Sequence, residues 1–395
     1  MPTEKIYYRD AYQAELKTRL LARQPASDGL WLLPDQSIIY PGGGGQLADI
    51  ATINGLPVQE IRVQAEEIWC RMEPETAPPD DGELLLKIDW DRRYYNMQQH
   101  SGQHLLSHVL FEKNLATVSV HLGEEYTLVE VEGAFPSAQT LQEAEAQVNQ
   151  LIRKAIPVTA RWVSRDELDG LPLRKPAGDW EELRVVVIGA IDYSACGGLH
   201  VQNTSEIGYI KIAGVEKIRG HARIKAYIGV KADAYFNLID QVGVRLRDQL
   251  KVDVGQFPER VAALAAEIAR LKKERETYRR GYIEQTCRSL AEEAGGQPFI
   301  LKRLAEGDWQ NAQDIARTLS SAHGCIACVL FERRFVLISP DENKFDPHEF
   351  LGKFGAHLKL KGGGAPGFVQ GVTGEIGDLA IQEALHQWFA KNPEG

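Results

Sequence analysis

Up to about Trp90 the chain alternates apolar and polar residues in short runs, LWLLP, SIIYP, IRVQA and ELLLKI, broken by Gly, Pro and Asp. That period-two pattern is the mark of short strands, and it predicts a β-barrel or curled sheet over residues 1–92. From Tyr94 to Lys113 the period becomes helical. TVSVHLG and TLVEVEG then read as paired strands, and SAQTLQEAEAQVNQLIRKA as a helix opened by Ser137 or Thr140. RVVVIG, IGYIKIAGV and RIKAYIG continue as strands to about Gly229, so residues 93–230 are predicted to be α+β. ADAYFNLIDQVGVRLRDQL is helical. Pro258 then sits where a first helical residue is favoured, and Val261, Leu264, Ile268, Leu271, Tyr278 and Tyr282 follow at 3–4 spacing, with Arg275 the one charged intrusion. Residues 231–295 therefore read as a helical linker and coiled-coil-like arm, with a homodimer through residues 258–290 as the expectation and packing on its own domain as the alternative. After Gly295 and Gly296 the order is strand (PFILKRL), helix (NAQDIARTLSSA), two strands (CIACVLF, RFVLISP), helix, a Gly-rich turn KGGGAPG and a last helix. The fold class is thus α+β multidomain: an N-terminal β-barrel, an α+β domain, a helical arm, and a C-terminal Gly-rich α/β domain over residues 296–395.

A chain of 395 residues is too long for one core, in agreement with that division. Its 45 Lys and Arg stand against 55 Asp and Glu, a formal charge of -10, so no global basic field announces nucleic acid and any such partner must be held by local patches. Candidates are Arg270, Lys272, Lys273, Arg275, Arg279 and Arg280 on the arm, and Lys353, Lys359 and Lys361 ahead of the Gly-rich turn, where phosphates could meet backbone N–H groups. The five cysteines are scattered and the N-terminus MPTEKIYYRD is charged, which together predict a reduced, cytoplasmic protein. Cys325 and Cys328 form CIAC inside an apolar run with no second pair nearby, so a buried strand is expected there and not a redox or zinc motif. The longest apolar run, Val185 to Ile191, falls far short of the ~20 residues of a membrane span, and no membrane partner is expected.

Chemistry gathers at two places. His100 and His104 in HSGQH are four residues apart on a predicted helix, so both imidazoles can reach one ion. His108 extends the stripe but lies about 12 Å from His100 along the axis at ~1.5 Å per residue, too far to share that ion. The stripe faces nearly opposite Leu105, Leu106, Val109 and Leu110, which argues against core histidines. Downstream, Cys196 and His200 in SACGGLH flank two glycines that let the backbone turn tightly. One thiolate and three imidazoles suit Zn²⁺ in tetrahedral geometry. HSGQH lacks the glutamate of an HExxH hydrolase, which disfavours a metalloprotease. The residues alone leave the role of the zinc open between structural and catalytic.

These motifs resemble the editing domain of alanyl-tRNA synthetases and the free-standing AlaX editing proteins of the long form. YPGGGGQLADI (Tyr40 to Ile50), HSGQHLLS, TVSVHLG and SACGGLHVQNTSEIG (Ser194 to Gly208) are similar to family motifs in the family's order, and KGGGAPGFVQG resembles the glycine-rich motif of the synthetases' C-terminal domain, which they share with DHH-family phosphoesterases. There is no DHH motif and no P-loop, which speaks against a phosphoesterase and against tRNA charging. The resemblance implies ATP-independent hydrolysis, in trans, of mischarged tRNA(Ala), chiefly Ser-tRNA(Ala) and secondarily Gly-tRNA(Ala). By the resemblance His100, His104, Cys196 and His200 hold Zn²⁺. It places Gln46 beside the scissile ester with His100 and His104, the Gly43, Gly44 and Gly45 loop near the terminal adenosine, and Ser119 and His121 as candidates to line the pocket. An apolar alanine pocket rejects an added hydroxyl only about 10²-fold, which is why such a synthetase needs a second site. Two positions depart from the family, Gly42 after Tyr-Pro and Leu199 in place of the threonine of C-G-G-T-H. Threonine at 42 is expected to change the Ser/Gly preference more than threonine at 199. The competing readings are a zinc-stabilised, non-catalytic tRNA-binding protein and a deacylase for another aminoacyl-tRNA.

Overall fold

The computed structural model describes residues 2–27, 29–73, 82–175 and 180–391. The chain is α+β and forms two compact units, Met1–Leu246 and Arg247–Gly395.

In the first unit the strand runs read from the sequence pair into a seven-stranded antiparallel sheet. Its backbone is Glu15–Ala26, whose first half pairs with Glu83–Ile88 and whose second half pairs with Gly29–Pro34 across a register shift between Leu20 and Ala22. A bulge there lets one long strand serve both halves of a curl. The ladder ends at Leu56–Pro57 on one side and Glu60–Gln64 on the other. These are neighbours in the chain, so the seam is bridged by Val58, whose N–H donates to Ala51 O, and by Gln59, whose N–H donates to Arg71 O (2.9 and 2.8 Å). The expected barrel is therefore a curled sheet whose ladder stays open at this seam.

The helix Trp90–Glu112 opens at Asp89, which accepts the Arg92 N–H. It crosses a four-stranded sheet ordered Ala116–Leu122, Thr127–Glu132, His221–Ile228, Ile210–Ile218. The helix is buried on both flanks. Leu105, Leu106, Val109 and Leu110 face an apolar core that runs from Ile6 to Ile228, and the polar flank with Gln98, Gln99, His100, Ser101, Gln103, His104 and Ser107 is buried as well. A helix that buries that many polar side chains must partner them elsewhere, and this one does so at the site described below. The helix Ala138–Arg153 is capped by Ser137, which accepts the Thr140 N–H. A smaller sheet of Val158–Ser164, Glu182–Ile188 and Asp192–Ala195 completes the unit.

In the second unit, helix Phe257–Ala294 is continuous for 38 residues, with proline in its first turn. Its stripe of Val261, Ile268, Leu271, Tyr278 and Tyr282 is exposed in the single chain, and only Ile283, Cys287 and Leu290 near its end are buried. The five-stranded sheet runs Phe299–Leu304, Ile326–Phe331, Arg334–Ile338, Phe368–Thr373, Leu360–Gly363, with helix Trp309–His323 joining the first, parallel pair. KGGGAPG, expected as a plain turn, instead contributes Lys361–Gly363 to a hairpin with Phe368–Thr373. CIAC lies where a buried strand was expected, with Cys328 buried and Cys325 at its threshold. All five cysteines are free. Among the described residues no helix is long and apolar enough to cross a membrane.

Candidate metal centre

His100, His104, Cys196 and His200 converge: their ligand atoms lie within 4.8 Å of one another, and the set could hold a metal ion. The histidine helix supplies the first pair and the turn after Asp192–Ala195 supplies the second.

Each histidine has one ring nitrogen engaged outward. His100 Nδ1 is 2.9 Å from Gln46 Oε1, which also accepts the Leu199 N–H at 2.8 Å. Because the Leu199 amide can only donate, the atom facing it is the amide oxygen, so His100 Nδ1 carries the proton and Nε2 keeps its lone pair. His200 Nδ1 meets Ser101 Oγ at 3.1 Å, and that hydroxyl also accepts the Val201 N–H. His104 Nδ1 lies 3.8 Å from Asp192 Oδ2 and 3.4 Å from Arg174 Nη2. The Nε2 atoms of His104 and His200 are buried and have no hydrogen-bond partner among the described residues, and His100 Nε2 points at Cys196 Sγ, 3.3 Å away. Buried polar atoms rarely go unpaired, and three inward nitrogens beside one sulfur fit a tetrahedral ion.

At Cys196 and His200 the electrostatics point the same way. Burial alone would push the Cys196 thiol up, but the three imidazoles hold it well below its ordinary value, so it favours the thiolate. Burial, followed by the neighbouring His100, drives His200 down to about 3, leaving it neutral and able to ligate. His104 goes the other way, to about 9, because Cys196 and Asp192 outweigh the effect of its burial.

Two glycine turns meet over this cluster. Gly42, Gly43, Gly44 and Gly45 all have positive φ, and the turn is closed by reciprocal hydrogen bonds between Gly43 and Gln46. A Cβ on Gly44 would lie 3.7 Å from the Gly198 nitrogen. The Cys196–Gly198 turn is held by its carbonyls: Arg184 Nη1 donates to Cys196 O and Gly198 O (2.9 and 2.6 Å), while Tyr8 and Tyr40 donate to Gly197 O. Gln46 Nε2 is left as a buried donor without an acceptor among the described residues.

The loop Tyr40–Asp49 is in turn pinned to the histidine helix. Asp49 accepts the Tyr40 N–H and pairs with Arg93, both side chains fully buried, and Arg93 also donates to Ala11 O and Ile38 O.

The other sequence candidates fall elsewhere. His108 pairs with Glu112 at 3.5 Å and is outside the cluster. His108→Ala is therefore expected to keep full metal content by elemental analysis. Ser119 and His121 lie exposed on an edge strand, where Ser119 donates to Glu130. Neither is in the cluster. Leu199 is fully buried in the apolar core, so Leu199→Thr would place a hydroxyl among apolar neighbours at about 1–3 kcal/mol in stability, read by urea titration. Gly42 has φ +86° and its Cβ would lie 3.1 Å from the Ala48 nitrogen. A β-branched threonine there reports backbone strain, so the comparison of Gly42→Thr with Leu199→Thr does not measure selectivity.

Sequence reasoning missed the residues behind the ligands. Arg174 donates to His104 O (3.2 Å) and Ser194 Oγ (3.0 Å) and lies 3.5 Å from Asp192, while Ser194 donates to Asp192 (2.9 Å). Such outer partners fix ring orientation and are typically worth about 10–100-fold in metal affinity. Asp192→Ala and Arg174→Ala are each expected to weaken metal binding by that factor in competition with a chromophoric chelator, while His108→Ala does not.

Residues 183–224 match the family described as the threonyl and alanyl tRNA synthetase second additional domain. Over 96% of its length the chain is 28% identical to alanyl-tRNA editing protein AlaX-L of Pyrococcus horikoshii, covering 98% of that protein. It is also 28% identical to alanyl-tRNA editing protein Aarsd1 of Mus musculus, over 96% of each chain. An alanine–tRNA ligase of Aeropyrum pernix matches 81% of the chain at 28% identity, but the match spans only 37% of the ligase. The resemblance read from the motifs is thus to alanyl-tRNA editing proteins along nearly the whole chain.

Proposed function

We propose that this protein is an aminoacyl-tRNA deacylase that acts in trans on mischarged tRNA(Ala), removing serine chiefly and glycine secondarily, with Zn²⁺ held by His100, His104, Cys196 and His200. The full-length similarity to proteins named for alanyl-tRNA editing supports the substrate class. The observation that carries the chemistry is the inward convergence of three imidazoles and one thiol under two glycine turns, with a spare amide donor on Gln46. Bound zinc at such a centre supplies Lewis acidity toward the ester or an anchor for the aminoacyl end. The protein's own groups do the rest. Gln46 fixes His100 through Oε1, and its Nε2 is placed to donate to an ester oxygen whose charge grows as the acyl bond breaks. The Gly43–Gly45 turn has no side chains, so its backbone can approach a ribose closely. The outer contacts of His104 with Arg174 and Asp192 keep the ring from rotating. A homodimer through residues 258–290 would cover the exposed stripe of the long helix, and the protein is expected to serve translation fidelity in the cytoplasm.

A deacylation panel tests the reading. Ser-tRNA(Ala) is expected to be hydrolysed faster than Gly-tRNA(Ala), and Ala-tRNA(Ala) spared. Hydrolysis of a different aminoacyl-tRNA with Ser-tRNA(Ala) left intact would keep the deacylase and remove the substrate; inactivity on every ester would leave a zinc-stabilised RNA-binding protein.

A further inference from the structure

A cleft of about 170 Å³ opens beside the candidate metal centre, lined among others by Tyr8, Arg9, Tyr12, Thr159, Arg184 and the cluster residue His200. Its volume is below the roughly 300–1,000 Å³ of pockets that enclose drug-sized ligands, so it admits a group of nucleobase size and no more. From two of its lining residues, Arg184 and Tyr8, a ladder of flat groups leads outward from the metal turn to Trp162, which lies outside the lining. The Arg184 guanidinium, hydrogen-bonded to Cys196 O and Gly198 O, lies over the Tyr8 ring at 4.7 Å. Tyr8, whose hydroxyl holds Gly197 O, stands edge to face with Trp162 at 6.0 Å, and Trp162 is 52% exposed. Trp162 belongs to a run, Thr159–Trp162, that is exposed throughout although it lies in a strand. Among the described residues, Arg9 in the lining and Arg161, next to Trp162 in the chain, make surface ion pairs with Glu4 and Glu167, which exchange readily. Asp10, also in the lining, is occupied by the Tyr12 backbone N–H.

We infer that Tyr8 and Trp162 form the stacking platform for the unpaired nucleotides at the 3′ end of the RNA whose terminal ester is presented to the metal centre. This rests on the deacylase reading, which requires a single-stranded 3′ end to emerge from the cluster. An exposed tryptophan backed by a tyrosine and flanked by guanidinium groups is the arrangement that holds single-stranded nucleic acid without reading its sequence. Bases inside a duplex present no free face, and a blunt end offers only that of its terminal pair, whereas every base of a single-stranded end can splay out and stack. The platform therefore distinguishes a free 3′ end from a paired one, and it leaves the acceptor helix to other surfaces.

The test uses the full-length, metal-loaded protein and an RNA minihelix with a four-nucleotide single-stranded 3′ end, compared with the same minihelix made blunt. Stacking of one base is worth about 5- to 150-fold in affinity, so Trp162→Ala should weaken binding of the overhanging minihelix by at least about fivefold, and Trp162→Phe by less. KM for deacylation should rise with kcat within about twofold, and Phe135→Ala, an equally exposed aromatic (52%), should change neither. Tryptophan fluorescence of the wild type should be quenched by the overhanging minihelix, little by the blunt one, and little by either in Trp162→Phe. Unchanged metal content in Trp162→Ala guards against misfolding. If the protein deacylates but Trp162→Ala binds the overhanging minihelix as well as the wild type does, the platform is wrong and the deacylase stands. If it deacylates nothing, yet the Trp162-dependent quenching persists, the platform stands and the catalytic reading falls. Equal quenching by both minihelices overturns the platform.

Discussion

Gly198→Ala is expected to strip the metal from the His100, His104, Cys196, His200 cluster while the rest of the chain stays folded. A Cβ on Gly198 would sit 2.1 Å from His100 Cε1, 2.2 Å from His100 Nδ1 and 2.9 Å from Gln46 Oε1. None of these can yield freely. His100 is wedged in a helix buried on both flanks, and Gln46 Oε1 is fixed by both His100 and the Leu199 N–H. The ring must rotate away from the inward position, so the loss should reach at least the upper end of what outer-partner mutations cause, about 100-fold in metal affinity. Overpacking itself costs about 1–3 kcal/mol, which a unit of this size tolerates. Metal content by elemental analysis, together with far-UV circular dichroism, reads both halves of the prediction. Wild-type metal content in Gly198→Ala would show that His100 is not a ligand in this geometry.

Breaking the Arg93–Asp49 pair should cost the first unit as much as truncating a large core side chain. Both side chains are at 0% exposure, and removing either partner leaves the other as a buried, uncompensated charge, a loss of about 3–5 kcal/mol. Replacing both with apolar residues often restores stability to a buried pair, but here Arg93 also satisfies Ala11 O and Ile38 O and Asp49 satisfies the Tyr40 N–H. Arg93→Met with Asp49→Leu would still abandon those backbone groups at about 1–3 kcal/mol each. The Tyr40–Asp49 loop carries Gln46, so the destabilised loop should also lower metal affinity. Urea unfolding of the two single variants and the double variant measures this; a double variant as stable as the wild type would mean that the pair does not tether the loop.

These two predictions rest on contacts that the sequence does not display, and the reason is distance along the chain. HSGQH and CGGLH are legible because each pair of ligands is set by local spacing, on one helix face or across one turn, and the same locality made the Ser137 cap and most strands readable. Arg93 reaches 44 residues back to Asp49, Arg174 reaches 70 residues back to His104, and Tyr8 reaches 189 residues forward to Gly197. In the sequence these arginines look like surface charge, and only the fold reveals Arg93 buried and Arg174 half-buried. The strand Phe368–Thr373 was hidden by its glycine, which weakens the strand pattern, and by the neighbouring Gly-rich tract that reads as a turn. Leu199 departs from the family between two ligands, yet its side chain enters the apolar core, which spacing alone does not show. Heptad spacing is likewise a local signal, and the stripe it marks on Phe257–Ala294 is exposed among the described residues.

The proposed hydrolysis of a mischarged tRNA(Ala) ester at the metal centre is tested by the initial rate of Ser-tRNA(Ala) deacylation by the wild type as prepared, after chelation, and after zinc is restored, beside Cys196→Ala that retains its fold by circular dichroism. Hydrolysis is expected to be lost with the metal and regained with zinc, with none by Cys196→Ala under any of the three conditions. Deacylation at an unchanged rate in the chelated wild type and in Cys196→Ala would contradict it.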